Sequence, residues 1–339
     1  CDNVNLRINA ATVTVAGAHA FHNVELLNGA VLTHPETTGT EESGLDIAAW
    51  TLTVDSNSAV NVDGRGYLGG ERPGNAGTNE GRTLGNVPGS TIRAGGSHGG
   101  SGGATSGGIP NALYGDLTAP SDPGSGGGRG GDDNWPGGDG GGRIRIQTVN
   151  VVNDGLISAN GQTPPGSHAG SGSGGSVYLT VSTMSGRGLA TANGGGFEVG
   201  GGGGRLALHH VDISTLDTSR LRALGGIGSV SSGGNGTVFI RSVAETGGTL
   251  IVDGQGAGSS FSALPIPPGY VFDNVIIRNN ARVVADDPIV VSNELQILAG
   301  SIVTHTAGRE AGVRIEARTL VVDATSSIDV TGKGYPGGE

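Results

Sequence analysis

The sequence predicts an all-β, β-solenoid-like fold in which short strands stack on one another and long Gly-rich insertions interrupt them. Three observations support this prediction: short segments alternate between apolar and polar residues, these segments recur along the chain, and glycine is abundant. The chain has 339 residues, of which 69 are glycine and only 4% are aromatic. Ordinary domains contain about 7% glycine. The chain therefore has few large side chains with which to fill an ordinary core.

Charge and hydropathy exclude two classes of partner. The net charge is −11 and no basic segment is present to neutralise phosphates, so we expect no nucleic-acid partner. The apolar runs are far shorter than the roughly 18–20 residues of a membrane helix, so we expect no membrane span. Cys1 is the only cysteine, and stability must come from packing and backbone hydrogen bonds instead of disulfides.

A long internal repeat is the most informative pattern. Residues 2–7 (DNVNLR) resemble residues 273–278 (DNVIIR), and residues 31–34 (VLTH) resemble residues 302–305 (IVTH), both at an offset of 271. After a three-residue shortening, residues 64–71 (GRGYLGGE) resemble residues 332–339 (GKGYPGGE). A little more than one copy of the unit is present, which predicts a piece of a tandem array.

A shorter pattern lies inside the long repeat. Six segments consist of a glycine, an alternating strand, a polar turn, a second short strand and another glycine. Alternation such as Ile144-Arg145-Ile146 has the period of two that is typical of strands. Units of similar length favour coils stacked at the ~4.8 Å strand spacing; a two-sheet sandwich or a barrel is the alternative. The six segments are residues 44–66, 142–162, 175–195, 204–226, 236–256 and 312–334.

These patterns divide the chain into five parts. The expected parts are a β-repeat segment at residues 1–71, a Gly-rich insertion at 72–141, stacked β coils with Gly-rich turns at 142–256, a Pro/Ser linker at 257–271, and the start of a further repeat copy at 272–339, which matches residues 1–71.

The Gly-rich tracts have two interpretations. Gly and Ser tracts often behave as flexible linkers. Ordering a glycine costs roughly 0.5–1 kcal/mol more than ordering alanine, so an ordered tract needs close backbone contacts in return, such as those between packed polyproline-II strands. Tyr67, Tyr114 and Trp135 interrupt the tracts, and a pure linker does not need such large side chains. We therefore favour an ordered, tightly turned Gly-rich layer.

The order of short motifs resembles a Gly-rich module of very large, mostly uncharacterised extracellular proteins. The motifs are SHGGSGG (97–103), YGD (114–116), PGSGGG (123–128) and GGGRIRI (140–146), followed by LISANG (156–161), GGSVYLTV (174–181) and GGGGGRLAL (200–208). The resemblance covers roughly residues 60–256. It implies secretion and repetition, and it brings no catalytic residues.

The matches to catalytic motifs lack the flanking secondary structure or partner residues that catalysis requires. Residues 95–99 (GGSHG) fit the G-x-S-x-G pattern of hydrolases, but no strand precedes and no helix follows them. Lys333 is the only lysine, so residues 1–332 offer no phosphate-loop or Schiff-base lysine. A β-helix polysaccharide lyase or hydrolase needs clustered carboxylates, and the pairs Asp132-Asp133 and Asp286-Asp287 are better explained as turn residues. We expect no enzyme.

Two candidate sites remain. Asp116, Asp122, Asp132, Asp133 and Asp139 offer oxygen ligands for a structural calcium ion within one long insertion, although the nonapeptide calcium repeat is absent.

The aromatic residues Tyr67, Tyr114 and Trp135 are the candidate ligand-binding residues, because exposed rings bind sugars; burial against glycine backbone is the alternative.

The expected function is structural or adhesive. The sequence favours a repeat segment of a large secreted or cell-surface protein that forms a stiff rod or a self-assembling filament with further copies or identical chains, because open ends of stacked strands invite pairing. A module that binds surface glycans is the first alternative, and a polysaccharide-acting enzyme is the second.

Overall fold

The chain folds as short strands joined by turns. The computed structural model describes residues 4–131, 135–254 and 260–335, and strands account for 38% of the residues. Two short 3₁₀ turns lie at Leu84–Asn86 and Thr218–Arg220. The strands are β1 Leu6–Asn9, β2 Thr12–Thr14, β3 Gly17–Ala20, β4 Asn23–Leu27, β5 Val31–Thr33, β6 Leu45–Val54, β7 Ala59–Asn61, β8 Arg82–Thr83, β9 Val87–Pro88, β10 Arg143–Asn153, β11 Leu156–Ser158, β12 Ser176–Ser185, β13 Leu189–Thr191, β14 Arg205–His210, β15 Leu221–Arg222, β16 Thr237–Ser242, β17 Thr249–Asp253, β18 Ser262–Ala263, β19 Phe272–Arg278, β20 Arg282–Val284, β21 Ile289–Ile297, β22 Ile302–Thr304, β23 Ile315–Val322 and β24 Ser327–Ile328.

Most strands belong to three sheets. The first sheet has 12 strands in the order β1-β4-β6-β10-β12-β14-β16-β17-β19-β21-β23, with β3 also paired to β6. The second sheet has six strands, β15-β13-β11-β7-β5-β2, and the third has four, β18-β20-β22-β24. β8 and β9 form a separate antiparallel pair.

Equivalent side chains stack on one another across the parallel strands. Ile144 of β10 pairs with Leu45 of β6 on one side and with Val177 of β12 on the other, and Val177 pairs with Leu206 of β14. All four side chains are buried. Because alternate residues point to opposite faces of a sheet, this face is apolar, and the opposite face carries polar residues such as Arg145.

A hairpin between β16 and β17 reverses the chain direction within the first sheet. β16 and β17 pair in antiparallel orientation, with Phe239 opposite Leu250, whereas β17 and β19 pair in parallel. Val238 and Ile240 of β16 belong to one apolar core, and Phe239 belongs to a second core. Since these residues alternate along one strand, the two cores lie on opposite faces of the sheet.

The predicted β-solenoid is therefore wrong. A solenoid requires each coil to follow the last around one continuous core. Here the sheets are open and mixed. The turn at Thr246-Gly247-Gly248 reverses the chain, so that β17 runs antiparallel to β16. The second sheet ends at β15 and does not continue beside β17. The near-equal spacing of the strand units corresponds to the parallel pairing from β10 to β16. Spacing alone does not indicate that β17 runs antiparallel to β16.

The Gly-rich tracts form a hydrogen-bonded layer, here named the Gly layer. It comprises residues 66–70, 95–103, 123–128, 137–142, 170–175, 193–204 and 225–236. Four of these tracts lead directly into β10, β12, β14 and β16, so they extend the strand units and are not insertions between them. The backbone bonds that join successive tracts, donor first, are Gly66–Gly140 (2.7 Å), Gly141–Ser173 (2.9 Å), Gly174–Gly202 (2.9 Å) and Gly203–Gly234 (2.9 Å).

Glycine is required in this layer by close backbone contact. Gly140 donates to the carbonyl of Tyr67 (2.9 Å) and accepts from the amide of Gly66 (2.7 Å). A Cβ atom at Gly140 would overlap the carbonyl oxygen of Gly124 in the neighbouring tract. A side chain of any size would therefore push the tracts apart and break the bonds between them.

The strands of the first segment have counterparts near the end of the chain. β5 and β22 begin at Val31 and Ile302, which are 271 residues apart (302 − 31). β6 and β23 end at Val54 and Val322, which are 268 residues apart (322 − 54). The same order of strands thus occurs twice, once followed by the Gly layer and once at the edge of the sheet. Over the described residues, no helix has the length and apolar character to cross a membrane.

Candidate functional site

Asp139, one of the predicted calcium ligands, anchors the Gly layer. Its carboxylate accepts a hydrogen bond from the amide of Gly69 (2.7 Å) and lies 3.3 Å from Nε of Arg72. Burial raises the pKa of Asp139 to about 6, although Arg72 and the Gly69 amide lower it. The carboxylate therefore already has a cationic partner and a backbone donor.

The charge of the buried Arg205 acts to lower the pKa of both Asp116 and Asp122. Asp116 accepts hydrogen bonds from the amides of Thr118 (2.6 Å) and Ala119 (3.0 Å). Burial acts to raise the pKa of Asp116, but these bonds outweigh it and the pKa is lowered. Burial, followed by the charge of Glu42, raises the pKa of Asp122.

The structure does not gather these carboxylates into a metal site where it describes them. Within residues 4–131, 135–254 and 260–335, no group of three or more His, Cys, Asp or Glu side chains has a metal-binding arrangement. Asp132 and Asp133 lie outside the described residues. Calcium binding by the set of five aspartates stays a prediction.

The predicted aromatic ligand residues are largely packed against the Gly layer. Tyr67 is fully buried and its hydroxyl donates to Glu42 (2.7 Å). The hydroxyl of Tyr114 donates to the carbonyl of Pro123 (2.6 Å). Trp135 is partly exposed. Tyr67 thus follows the alternative interpretation, in which the ring is buried against glycine backbone. Sugar binding by the set of aromatic residues stays a prediction.

A buried polar cluster joins the Gly layer to the first sheet. His98 and Arg205 are both almost completely buried. Nδ1 of His98 lies 3.0 Å from the carbonyl of Gly174, and the ring contacts Tyr114 at a centroid distance of 4.7 Å. Nε of Arg205 donates to the carbonyl of Tyr114 (2.9 Å) and Nη1 donates to the hydroxyl of Thr237 (3.2 Å). The cluster therefore ties β14 and β16 to the loop at Tyr114.

Burial sets the charges in this cluster. It lowers the pKa of His98 to about 3, with a further contribution from the charge of Arg205. Burial also lowers the pKa of Arg205 to about 10, so the guanidinium stays charged at neutral pH. Ser97, the serine of the G-x-S-x-G match, is buried and accepts a hydrogen bond from the amide of Gly102 (2.9 Å). This geometry gives Ser97 and His98 structural contacts.

The second acidic pair is used in turns. Asp286 accepts hydrogen bonds from the amide (2.9 Å) and hydroxyl (2.7 Å) of Thr306. Asp287 accepts from the amide of Ile266 (3.2 Å). The two carboxylates therefore bind different segments.

A groove crosses the polar face of the first sheet. Two adjoining cavities of about 450 and 640 Å³ share Ala20, Ala48 and Gln147 in their walls. In register, Ala20 pairs with Ala48, Ala48 with Gln147 and Gln147 with Thr180, so the floor crosses four strands. At the ~4.8 Å strand spacing, this row is roughly 14 Å long. We name it the outer groove.

One end of the outer groove is charged and the other is apolar. At the charged end, Arg143 makes an ion pair with Asp46 (2.9 Å), and Arg145 lies over the ring of Tyr178 at 5.6 Å. At the apolar end, the side chain of Trp50 is 59% exposed. The groove thus combines an exposed ring with polar side chains from neighbouring strands.

Sequence reasoning missed both Trp50 and the pair His98–Arg205. Asp46, Ala48 and Trp50 are alternate residues of β6 and share its polar face. This alternation is visible in the sequence and could have identified Trp50. The meeting of His98 with Tyr114 and Arg205 depends on the folding of the Gly layer and has no signal in the local sequence.

The other unusual surface is the open edge, defined as β23, β24 and residues 330–335. Leu52 and Val54 of β6 are 1% and 0% exposed, because β10 covers them. Their counterparts Leu320 and Val322 in β23 are 46% and 39% exposed. The same apolar strand is therefore covered in the first segment and uncovered at the edge.

Comparisons with known proteins give no match: no family model, no curated protein and no solved structure corresponds to this chain.

The low pKa of His98 predicts a loss of stability in acid. The folded state keeps His98 neutral down to about pH 3, whereas the unfolded chain takes up the proton near pH 6.5. Between these values the unfolded state binds more protons, so stability falls as the pH falls, by at most about 1.4 kcal/mol per pH unit for one group. Asp139, with its raised pKa, contributes the opposite trend between about pH 6 and 4.

The measurement is urea unfolding of the wild-type protein and His98→Asn between pH 7 and 4.5. We expect the variant to be less stable at pH 7 and to lose stability less steeply in acid. Parallel stability profiles for the two proteins would show that His98 is not the responsible group.

Proposed function

We propose that this chain is a structural or adhesive repeat segment of a large secreted or cell-surface protein, in which repeats join through strand edges into a stiff rod or filament. The observation that carries the proposal is the run of parallel strands from β6 to β16, beside which the tracts of the Gly layer form a further set of backbone hydrogen bonds. Unpaired strand edges pair readily with further strands.

The mechanical part of the proposal rests on continuous hydrogen bonding. The first sheet places 12 strands side by side, and the Gly layer adds a second set of backbone bonds beside β10–β16. Load along this stack is shared by many parallel bonds. A contact that joins one edge of the molecule to a different surface of the next copy does not close on itself, and it generates an open filament.

Secretion is proposed on the resemblance of residues 60–256 to Gly-rich extracellular modules. No catalytic role is proposed, because the serine and histidine of the hydrolase-like match, Ser97 and His98, are buried within packed backbone.

Self-assembly is tested at the open edge. We expect the wild-type chain to form elongated particles whose mass rises with concentration in sedimentation velocity and negative-stain electron microscopy. Leu320→Lys/Val322→Lys should stay monomeric, because assembly would bury two unpaired charges.

Val321→Lys is the matched control, since the counterpart of Val321, Thr53, points to the other face of β6 and is half-buried. It should assemble like the wild type. Monomers at every concentration, or equal assembly by the double-lysine variant, would contradict the proposed assembly.

A glycan-binding module is the second candidate. The observation that favours it is the outer groove, where the exposed ring of Trp50 lies beside the polar side chains of Gln147, Thr180 and Ser182. Aromatic rings with nearby hydrogen-bonding groups fix the orientation of polar ligands in such clefts. Arg143 and Arg145 at the other end favour acidic sugars.

Affinity electrophoresis in gels that contain polygalacturonate or dextran tests this candidate. We expect the acidic polymer to retard the wild type more than dextran does, and Trp50→Ala to lose at least tenfold in affinity. Phe197→Ala is the control, because Phe197 is exposed but does not line the outer groove. Equal retardation of wild type and Trp50→Ala would reject the groove as the site.

A further inference from the structure

We propose that the outer groove binds a linear chain of acidic sugars that lies across the parallel strands β6, β10, β12, β14 and β16, with one sugar unit on each strand. This inference rests on the glycan-binding candidate described above and specifies the length, direction and charge of its ligand. The residues that carry it belong to these five strands and to the turns that follow β14 and β16.

One wall of the outer groove is a row of residues in register. The pairing of β6, β10 and β12 places Val149 between Trp50 and Ser182. The row continues through Val211, whose amide donates to the carbonyl of Ser182 (3.1 Å), and ends at Val243, which follows the last pair of β14 and β16 in the same register. All five residues line the cavity of about 640 Å³. Each of the five strands therefore contributes one residue to the same wall.

The spacing of this wall matches a polymer of sugars. From β6 to β16 the wall crosses four strand spacings, which is roughly 19 Å at ~4.8 Å per strand. One pyranose unit of an extended chain advances by nearly the same distance as one strand. A sugar chain that lies across the strands therefore meets an equivalent position on every strand.

The side chains of the groove fit the two kinds of surface on a sugar. The side chains of Trp50, Val211 and Val243 are 59%, 55% and 72% exposed. The C–H face of a pyranose packs against apolar side chains and above all against an aromatic ring, whereas its hydroxyl groups need polar neighbours. Gln147 and Thr180 supply polar groups within the same cavity. The groove thus offers an apolar wall and polar groups beside it.

Charge in the outer groove selects an acidic chain. Among the described residues that line the two cavities, two are arginines and one, Asp46, is a carboxylate. Arg143 pairs with Asp46 at 2.9 Å. Arg145 is exposed and makes no ion pair within the part of the chain that the structure describes. Its guanidinium therefore offers a bidentate site for a sugar carboxylate, in a chain whose net charge is −11.

A single-stranded nucleic acid is the other linear polyanion of regular spacing. Proteins that bind single strands stack successive bases on successive aromatic side chains. The wall has one aromatic side chain, Trp50, and its other members are valines and a serine. This composition favours a sugar chain.

The test measures the affinity of the full chain for galacturonate oligomers of two to six units by isothermal titration calorimetry. We expect affinity to rise at least tenfold from the dimer to the pentamer and to change little for the hexamer, because five strands form the wall. The fully methyl-esterified pentamer should bind at least tenfold more weakly, since it lacks the carboxylates that Arg145 binds. Arg145→Gln should weaken the binding of every acidic oligomer.

Val243→Asp locates the far end of the ligand. The dimer is expected at Trp50 and Arg145, on the neighbouring strands β6 and β10. The variant should therefore bind the dimer like the wild type and the pentamer at least fivefold more weakly, because the new carboxylate repels the acidic chain. Val230→Asp is the matched control, since Val230 is 60% exposed and lines neither cavity; it should bind both oligomers normally.

Equal affinities for the dimer and the pentamer, or equal effects of Val243→Asp and Val230→Asp, would overturn the arrangement across the strands. Equal binding of an oligothymidylate with the same number of charges would overturn the selection of sugars. The glycan-binding candidate is judged separately by gel retardation. Retardation that Trp50→Ala abolishes, combined with no dependence on oligomer length, would keep the candidate and reject this inference, whereas absence of any retardation would reject both.

Discussion

Close contact between glycine backbones is the constraint on which the rest of this structure depends. The tracts of the Gly layer approach so closely that a Cβ atom at Gly140 would overlap the carbonyl of Gly124. Ordering each glycine has an entropic cost of roughly 0.5–1 kcal/mol relative to alanine, and the interlocking amide bonds offset it. Because four tracts run directly into β10, β12, β14 and β16, the layer also sets where these strands begin. Strand register and Gly packing are therefore two parts of one arrangement.

This arrangement explains why polar side chains are buried in a chain with little conventional core. His98 and Arg205 occupy positions where the Gly layer meets the sheet, and each is held by backbone carbonyls. The same principle operates at His34, whose Nε2 accepts from the first amide of β10. Large side chains here fill spaces between glycine backbones and form hydrogen bonds with backbone groups. Tyr335, the counterpart of Tyr67 near the end of the described residues, is 76% exposed.

Much of the strand content could be predicted, because the alternation at Ile144-Arg145-Ile146 and its counterparts marks strands locally. The parallel stacking from β10 to β16 corresponds to the regular spacing of the units. The reversal at Thr246-Gly247-Gly248 could not be predicted, since a glycine turn is compatible with a coil and with a hairpin, and only the second core beyond Phe239 distinguishes them. The sequence left exposure and burial of Tyr67 as alternatives, because an aromatic residue in a Gly-rich tract has the same local sequence whether it is exposed or covered by another tract. The exposure of Trp50 could be predicted, because it lies two residues after Ala48 and therefore on the same polar face of the strand.

The stability of Gly140→Ala measured against Gly334→Ala, by urea unfolding, tests the central claim most directly. Gly140 lies between tracts of the layer, whereas a Cβ atom at Gly334 meets nothing within 4 Å. Both changes add one methyl group and reduce the freedom of the unfolded chain equally. The account predicts a loss of about 1–3 kcal/mol or more for Gly140→Ala, as for other forced overpacking, and little change for Gly334→Ala. Equal stability of the two variants would contradict the claim that close glycine packing holds this fold together.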